Sequence, residues 1–497
     1  MALSDLKPEE WLHRLLVKKT AAYVEQRKLW QYYDNEQPLA FVARILQEQG
    51  DRFPPLMINW SALVVDALEE RLDVLGFRDP KGDQIDETLQ QVWQDNNLDE
   101  ASGEAHICSM VAKQAFIMIG PPPAGRETPV VTVEYPDQVA VEIDPATRQP
   151  VAALKLYRSD PLIAYADRAT LMIPGKIITY EAGKQIDETS DSGWAQARAD
   201  DQSSPLVPCV PMNNRARRGV GHSELQALLP VVDAGNQIAT NMMAALEHHA
   251  LPRRWGINVD PADFQDATGN ALRAWQIATG AVWMIPRATD EDGNPIPAAE
   301  AERPQIGQFT AAELTNFHNS IKQVATVAAS LYGLPPHYLG YSSENPASAD
   351  AIRSSEARLI KRAERHQRGK SGTWETSSRI SLAMMGHDPA KANRLETVWR
   401  DASTPTAAAS ADRAVKLKQA GIIDQEQAQE DCGYTPGQIA RMNERMRSAG
   451  NQTANIVAGL RNINLAQGAN NGAPQPANQP PAPVDPAANG APAPASR

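Results

Sequence analysis

The chain has 497 residues, 42% of them hydrophobic, and a formal net charge of −12. That length exceeds the ~150 residues of an ordinary domain, so more than one domain is expected. The acidic balance excludes a global attraction to nucleic acid and leaves only local basic patches for any such contact.

Cys108, Cys209 and Cys432 stand far apart with no metal-ligand spacing. Their odd number leaves at least one thiol unpaired, and reduced thiols in a cytosolic protein are expected. Met1 to Arg14 contains no apolar signal core. No run of about 20 apolar residues occurs, so neither secretion nor a membrane span is expected.

In chain order, Pro8 to Asp34 predicts an amphipathic helix with Trp11, Leu15, Ala22 and Leu29 near one face. Leu39 to Gln49 predicts a shorter helix, and Phe53-Pro54-Pro55 breaks it. Trp60, Leu63, Val64, Ala67, Leu68 and Leu72 predict a well-buried helix, with a short strand at Val74–Phe77. Leu89 to Asn96 and Asp99 to Ala115 continue the helical period. Near Phe116 the period changes to two. Val130–Tyr135, Val139–Ile143, Val151–Tyr157, Leu162–Met172 and Lys176–Tyr180 then predict an antiparallel meander. Pro205 to Gly221 is expected to be a connector. Ser223 is expected to cap a helix to Ala250, with Glu224 in its first turn.

Arg253 to Gln308 is short and mixed, carrying Trp275, Trp283 and the acidic turn Asp290-Glu291-Asp292. It sits between two long helices, Ser223–Ala250 and Thr310–Tyr332, which predicts a helical hairpin with a small α/β module at its tip. On the second helix Leu314, Phe317, Ile321, Val324, Ala328 and Leu331 share a face. Gly333-Leu334-Pro335-Pro336 then forces a loop. A long helix follows, from about Asp350 to Met385, polar and rich in Arg and Lys. Arg394–Arg400 alternates as a strand expected to return to the β lobe. Ala411–Ala420, Asp424–Cys432 and Pro436–Ala449 predict three short helices, with Asp424 an N-cap. From Gly468 the chain is Ala, Pro, Asn and Gln, and disorder is expected.

Enzymatic motifs are absent. Arg368-Gly369-Lys370-Ser371 copies only the tail of a phosphate loop, because position 364 is Glu and no strand precedes it. No catalytic residue, metal site or cofactor is expected.

The order of elements and several local patterns resemble the portal proteins of tailed bacteriophages, of the family found in long-tailed phages of Gram-positive, particularly actinobacterial, hosts. The residues that carry the resemblance are Tyr32–Pro38, Asn59-Trp60 running into Val64–Leu72, and Tyr135–Gln138 with Asp144–Thr147. To these are added Leu331–Gly340 and Asn345–Ile352.

The resemblance implies an α+β, mainly helical, portal-like fold that assembles as a homo-oligomeric ring, usually a dodecamer, at one capsid vertex. Double-stranded DNA passes through such a ring during packaging and ejection. Its further implied partners are the terminase large subunit, a head-completion adaptor, the major capsid protein and a scaffolding protein. No membrane is involved, and the place is the virion after assembly in the host cytoplasm. The implied parts are a wing (residues 1–222), stem helices (223–250 and 309–332), a clip (251–308), a tunnel loop (333–349), a long helix with a wing return strand (350–405), a crown (406–450) and a tail (451–497).

In the tunnel loop the resemblance implies that His337, Tyr338, Tyr341, Ser342, Ser343 and Asn345 face the DNA channel. There Tyr338, Tyr341, Ser342, Ser343 and Asn345 offer uncharged polar groups able to touch phosphates without holding them. Taken without the resemblance, the segment also reads as an ordinary helix–helix connector. In the clip Trp275, Trp283, Asp290 and Asp292 are candidate interface residues, although a tryptophan there serves the module's core or its interface equally. Arg353, Arg358, Arg362 and Arg365 are expected to pair with acids of the neighbouring subunit before they meet DNA. The alternatives are a metal-dependent DNA-processing enzyme using the acidic turn, or another capsid scaffolding protein.

Overall fold

A computed structural model describes residues 6–39, 56–79, 86–185, 193–202, 206–217, 219–250, 254–258, 282–285, 305–308, 313–340, 349–388, 392–403, 407–434 and 437–448. The expected helix after Leu39, the Phe53–Pro55 break, Trp275, Asp290, Asp292, Tyr341, Ser342, Ser343, Asn345 and the tail lie outside the described residues. The chain divides into two compact units, Met1–Thr406 and Ala407–Arg497. The architecture is α+β and mainly helical.

Helix α1, Pro8–Tyr33, starts on a proline that pre-sets the first turn, and the Lys7 backbone N–H donates to Glu10 Oε2 at 2.8 Å. It serves two cores. Trp11, Leu12, Leu15 and Leu16 cover Leu154, Leu156, Leu171 and Tyr180 of the β lobe. Leu29 and Tyr32 enter the helical core with Trp60, Val64 and Leu68. Arg14 and Lys18 clamp the lobe by pairing with Glu142, each at 3.0 Å.

Helix α2, Trp60–Glu69, is capped by Asn59, whose Oδ1 accepts from Ala62 N at 3.1 Å while its Nδ2 donates to Tyr33 O at 3.0 Å. Asn59→Ala removes both bonds and should cost about 1 kcal/mol in urea unfolding, with no change of secondary structure by circular dichroism.

Strand β1, Val74–Arg78, follows, then helices α3, Glu87–Asp95, and α4, Leu98–Ala112. α4 ends at Ala112, not Ala115, because Lys113 turns left-handed (φ 75°). Strands β2, Gln114–Gly120, and β3, Val130–Glu134, come next. Strands β4, Val139–Ile143, β5, Pro150–Tyr157, β6, Arg168–Ile173, β7, Lys176–Ala182, and β8, Trp194–Asp201, then form the antiparallel meander in chain order. β6 starts at Arg168 rather than Leu162, because Asp167 ties the preceding turn by accepting from Ser159 N at 2.7 Å. Strands β4–β6 are covered on both faces: Val139, Val141, Ala153 and Met172 pack away from α1, against Phe116 and Cys209.

Strand β9, Cys209–Asn213, corrects the expected connector. It pairs with β2 at the edge of a three-stranded sheet ordered β3-β2-β9, where Pro211 is tolerated.

Helix α5, Leu229–Ala250, begins six residues after the expected Ser223. Pro230 sets its first turn. Ser223 instead accepts from Leu225 N at 3.1 Å and donates to Met110 O at 3.3 Å. Strands β10, Arg254–Ile257, β11, Val282–Ile285, and β12, Gln305–Gln308, form a sheet ordered β11-β10-β12. Trp283 lies in β11 in register with Trp255. Helix α6, Thr315–Tyr332, packs against α5.

Helix α7, Ala349–Met384, is the longest element, and its polar appearance misleads. Leu359, Ala363, His366, Lys370, Trp374, Ser377 and Ser381 are buried. The serines are accommodated because each hydroxyl donates one turn back: Ser377 to Thr373 O at 2.9 Å and Ser381 to Ser377 O at 3.0 Å. The return strand β13, Glu396–Trp399, pairs antiparallel with β1 and not with the β lobe. Phe77, Trp93, Trp374 and Leu395 share the core beneath that pair.

In the second unit, α8, Ala407–Gln419, packs on α9, Gln425–Asp431. Asp424 caps α9 by accepting from Gln427 N at 2.8 Å, and a third helix covers 437–448.

Candidate functional site

The central loop leaves α6 through Gly333, whose φ of 68° and closeness to Arg358 both require glycine. A Cβ there would lie 2.6 Å from the Arg358 side chain. Pro336–Leu339 forms one 3₁₀ turn. His337 is exposed. Tyr338 is committed inward: its hydroxyl accepts from Arg71 Nη2 at 3.0 Å and donates to Glu356 Oε1 at 3.1 Å. It roots the loop on the body and is not among the groups free to meet a ligand.

Next to this root stands a buried ionic centre that sequence reasoning missed. Glu224, expected in the first turn of a helix, has a side chain with no solvent exposure. Arg362 Nη2 reaches its Oε2 at 2.7 Å and Arg215 Nη1 reaches the same oxygen at 3.1 Å. Asn214 Nδ2 donates to Oε1 at 3.1 Å, and His366 Nε2 lies 3.4 Å from it. Tyr332 donates its hydroxyl to the Glu224 carbonyl, and Arg362 stacks 4.8 Å from the Tyr332 ring. Burial pushes the Glu224 carboxyl up, but the hydrogen bond and charges of His366, Arg362 and Arg215 outweigh it and hold the group down at about 2. His366 itself is pushed below its ordinary value, first by burial and then by Lys370.

The segment that delivers Glu224 is laced to the end of α4. Asn214 N donates to Lys113 O at 2.9 Å and Glu224 N to Met110 O at 2.8 Å. Gly221 passes so close that a Cβ would sit 2.2 Å from Lys113 O. The centre therefore joins α4, the chain after β9, the end of α6 and the middle of α7.

One turn further along α7, Lys370 is buried and donates to Ser109 Oγ at 2.5 Å. Burial pulls its pKa down to about 7. Its place in the middle of a continuous helix also rules out a phosphate loop at Arg368–Ser371. Trp374 Nε1–H donates to His106 Nε2 at 3.1 Å, which makes that nitrogen the acceptor of a neutral imidazole. Burial takes the His106 pKa well below its usual range.

The arginines expected to face a neighbour therefore divide. Arg358 Nη1 caps the end of α6 at Ser330 O, 2.9 Å away, and Arg362 Nη1 does so at Leu331 O, 3.3 Å away. Arg365 and Lys361 are exposed. The backbone of Arg353 lies in α7. Arg215, Arg358, Lys361, Arg362 and Arg365 line a hollow of about 450 Å³ beside Tyr332. Among the described residues, no group of three His, Cys, Asp or Glu side chains is placed to hold a metal ion. No helix among them is long and apolar enough to cross a membrane.

A mainly helical α+β body carries a small three-stranded sheet between two packed helices, then a stiff loop and one long helix. The family model "Phage portal protein, SPP1 Gp6-like" matches residues 13–444, and the chain belongs to that family. It is 34% identical over 445 residues to the portal protein of Mycobacterium phage L5, covering 86% of this chain and 85% of that protein. It is likewise 34% identical over 406 residues to the portal protein of Mycobacterium phage D29, covering 78% of each. Among solved structures, a chain from the neck of an empty GTA particle aligns over 82% of this chain and 93% of its own, with 12% identity and a TM-score of 0.45.

Proposed function

We propose that the chain is the subunit of a closed ring, a dodecamer, at one capsid vertex, through which genomic DNA is packaged and ejected. The observation that carries this is the order of elements in a family of portal proteins: α5 and α6 pack together and emit strands β10–β12 between them, followed by a loop rooted at Tyr338 and the long helix α7. The packed pair serves as the stem and the three-stranded module as the clip, the docking face for a terminase and later for a head-completion adaptor. Residues 333–349 serve as the tunnel loop nearest DNA, and 406–450 as the crown. The β lobe and α1 form the wing, which meets the capsid protein. The role is structural, in the virion, and needs no cofactor.

Small residues suit the stem to close packing: Ala239 and Ala244 on α5 and Ala325, Ala328 and Ala329 on α6 are buried. Electron microscopy of the purified protein should show closed rings with a central channel, and native mass spectrometry should give one dominant multiple of the subunit mass. A stable monomer at micromolar concentration would overturn the proposal.

A further inference from the structure

The basic hollow beside Tyr332 is a positive island on an acidic protein, and the fold explains only part of it. Arg362 and Arg215 are held by Glu224. Arg358 spends one nitrogen on a carbonyl, and Lys361 has an exposed partner in Glu364 at 2.7 Å. Arg365 has no hydrogen-bond or ion-pair partner among the described residues. Three cations, Arg358, Lys361 and Arg365, thus line a cavity of about 450 Å³ that has no Asp or Glu among its lining residues.

The complementary charge lies at the ends of α1 and α2, toward the opposite flank of α7. Gln367 Nε2 donates to Arg71 O at 3.0 Å and Glu356 lies 3.5 Å from Arg71, so the line Glu356–Ala363–Gln367 faces the end of α2. At 100° per residue, Arg358, Lys361, Arg362 and Arg365 lie about 140–240° around the helix from that line. Around the end of α2 are Asp66, Glu69 and Glu70, and beside them Asp34 and Glu36 at the end of α1. No cation among the described residues pairs with any of the five. Burial first, and then the charges of Asp73, Asp66 and Glu70, hold Glu69 above its ordinary range. Burial and Glu36 do the same to Asp34. These carboxylates repel one another, and an incoming guanidinium would relieve them.

A hollow on one flank and its complement on the other is what a head-to-tail contact needs, and head-to-tail contacts generate rings where the rotation between copies closes. We propose that the hollow receives the acidic edge of a second copy of this chain, formed by Asp34, Glu36, Asp66, Glu69 and Glu70. This makes it the repeating charged contact between neighbours. The inference rests on the ring reading above and adds which surfaces meet.

The test uses exposed residues that leave Glu224 and its partners alone. Lys361→Glu with Arg365→Glu, and separately Glu36→Lys with Glu70→Lys, should each raise the protein concentration needed for half-maximal ring assembly at least tenfold, with an unchanged circular dichroism spectrum. The fourfold variant restores complementarity with reversed signs and should assemble within about twofold of the wild-type concentration. Wild-type assembly by the Lys361/Arg365 pair overturns the proposal, as does failure of the fourfold variant to recover. Wild-type assembly combined with lost binding of a short DNA duplex reassigns the hollow to phosphate. If the unmodified protein forms no ring, the conduit reading itself falls, and that result is seen before any variant is made.

Discussion

Glu224→Gln should lower the unfolding free energy of the unit Met1–Thr406 by about 3 kcal/mol, the low end for breaking a buried ion pair from one side. The reasoning starts from what the substitution leaves behind. Glutamine keeps the shape and one carbonyl oxygen, so Asn214 retains an acceptor. Arg362, 19% exposed, and Arg215, 37% exposed, lose the charge that both were placed against. Arg215 can turn toward water, which keeps the cost from the top of the range. Arg362 cannot do so freely, because its second nitrogen caps α6 and its plane lies on Tyr332.

The pH dependence follows from the direction of the shift. The folded carboxyl titrates at about 2 against an ordinary 4.5, so its contribution is fully present above about 4.5. It declines below that as the unfolded chain takes up the proton first, and it is gone once pH falls through about 2. Urea unfolding of both proteins at fixed protein concentration should show their difference shrinking as pH drops through that window. A difference independent of pH would mean that Glu224 acts through shape alone.

How far the fold could be read from the sequence depended on whether the deciding contact was local. α1 and α2 carry apolar residues at helical spacing and were legible. β4, β5 and β7 alternate and were legible too. β9 was hidden by Pro211, a strand breaker everywhere except at the sheet edge it occupies. Beyond Trp194, which packs against the lobe's core, β8 is built of small, polar and charged residues held by pairing with β7, so it has little hydrophobic signature. The buried half of α7 looked solvated because Ser377 and Ser381 satisfy themselves within the helix and Thr373 donates to Pro211 O on β9, something composition does not reveal.

The site followed the same rule. The loop at Gly333–Pro336 announced itself through backbone-restricting residues. Glu224 did not, because its partner Arg362 is 138 positions away and only tertiary structure joins them. The one local hint was the crowding of Asn214, Arg215 and Gly221 just before it: a glycine, an amide and a guanidinium that a plain connector does not need. The arginines of α7 stood out in the sequence as a run. What the sequence could not apportion was their duties, since Arg358 and Arg362 turn inward to cap α6 while Arg365 and Lys361, one turn away, stay outside.

Lys370→Met should raise stability at neutral pH by about 2 kcal/mol, within the range for replacing a buried charged group by an apolar one of similar size. Lys370 is 2% exposed, and its nitrogen has one short bond, to Ser109. The substitution orphans no donor, because Ser109 Oγ–H already donates to His106 O at 2.8 Å. Burial brings the folded pKa to about 7 from 10.5, so between those values the unfolded chain holds a proton that the folded chain has released. Stability of the wild type therefore rises with pH across that window, and below about 7 the full cost of burying the ammonium is present. The methionine variant has no such group, so its curve should stay flat there and the two proteins should converge at alkaline pH. A variant less stable than wild type at neutral pH would show that the attraction of the buried ammonium to Glu224 exceeds its desolvation. Lys370 would then belong to the ionic centre as a structural cation rather than being a strained passenger beside it.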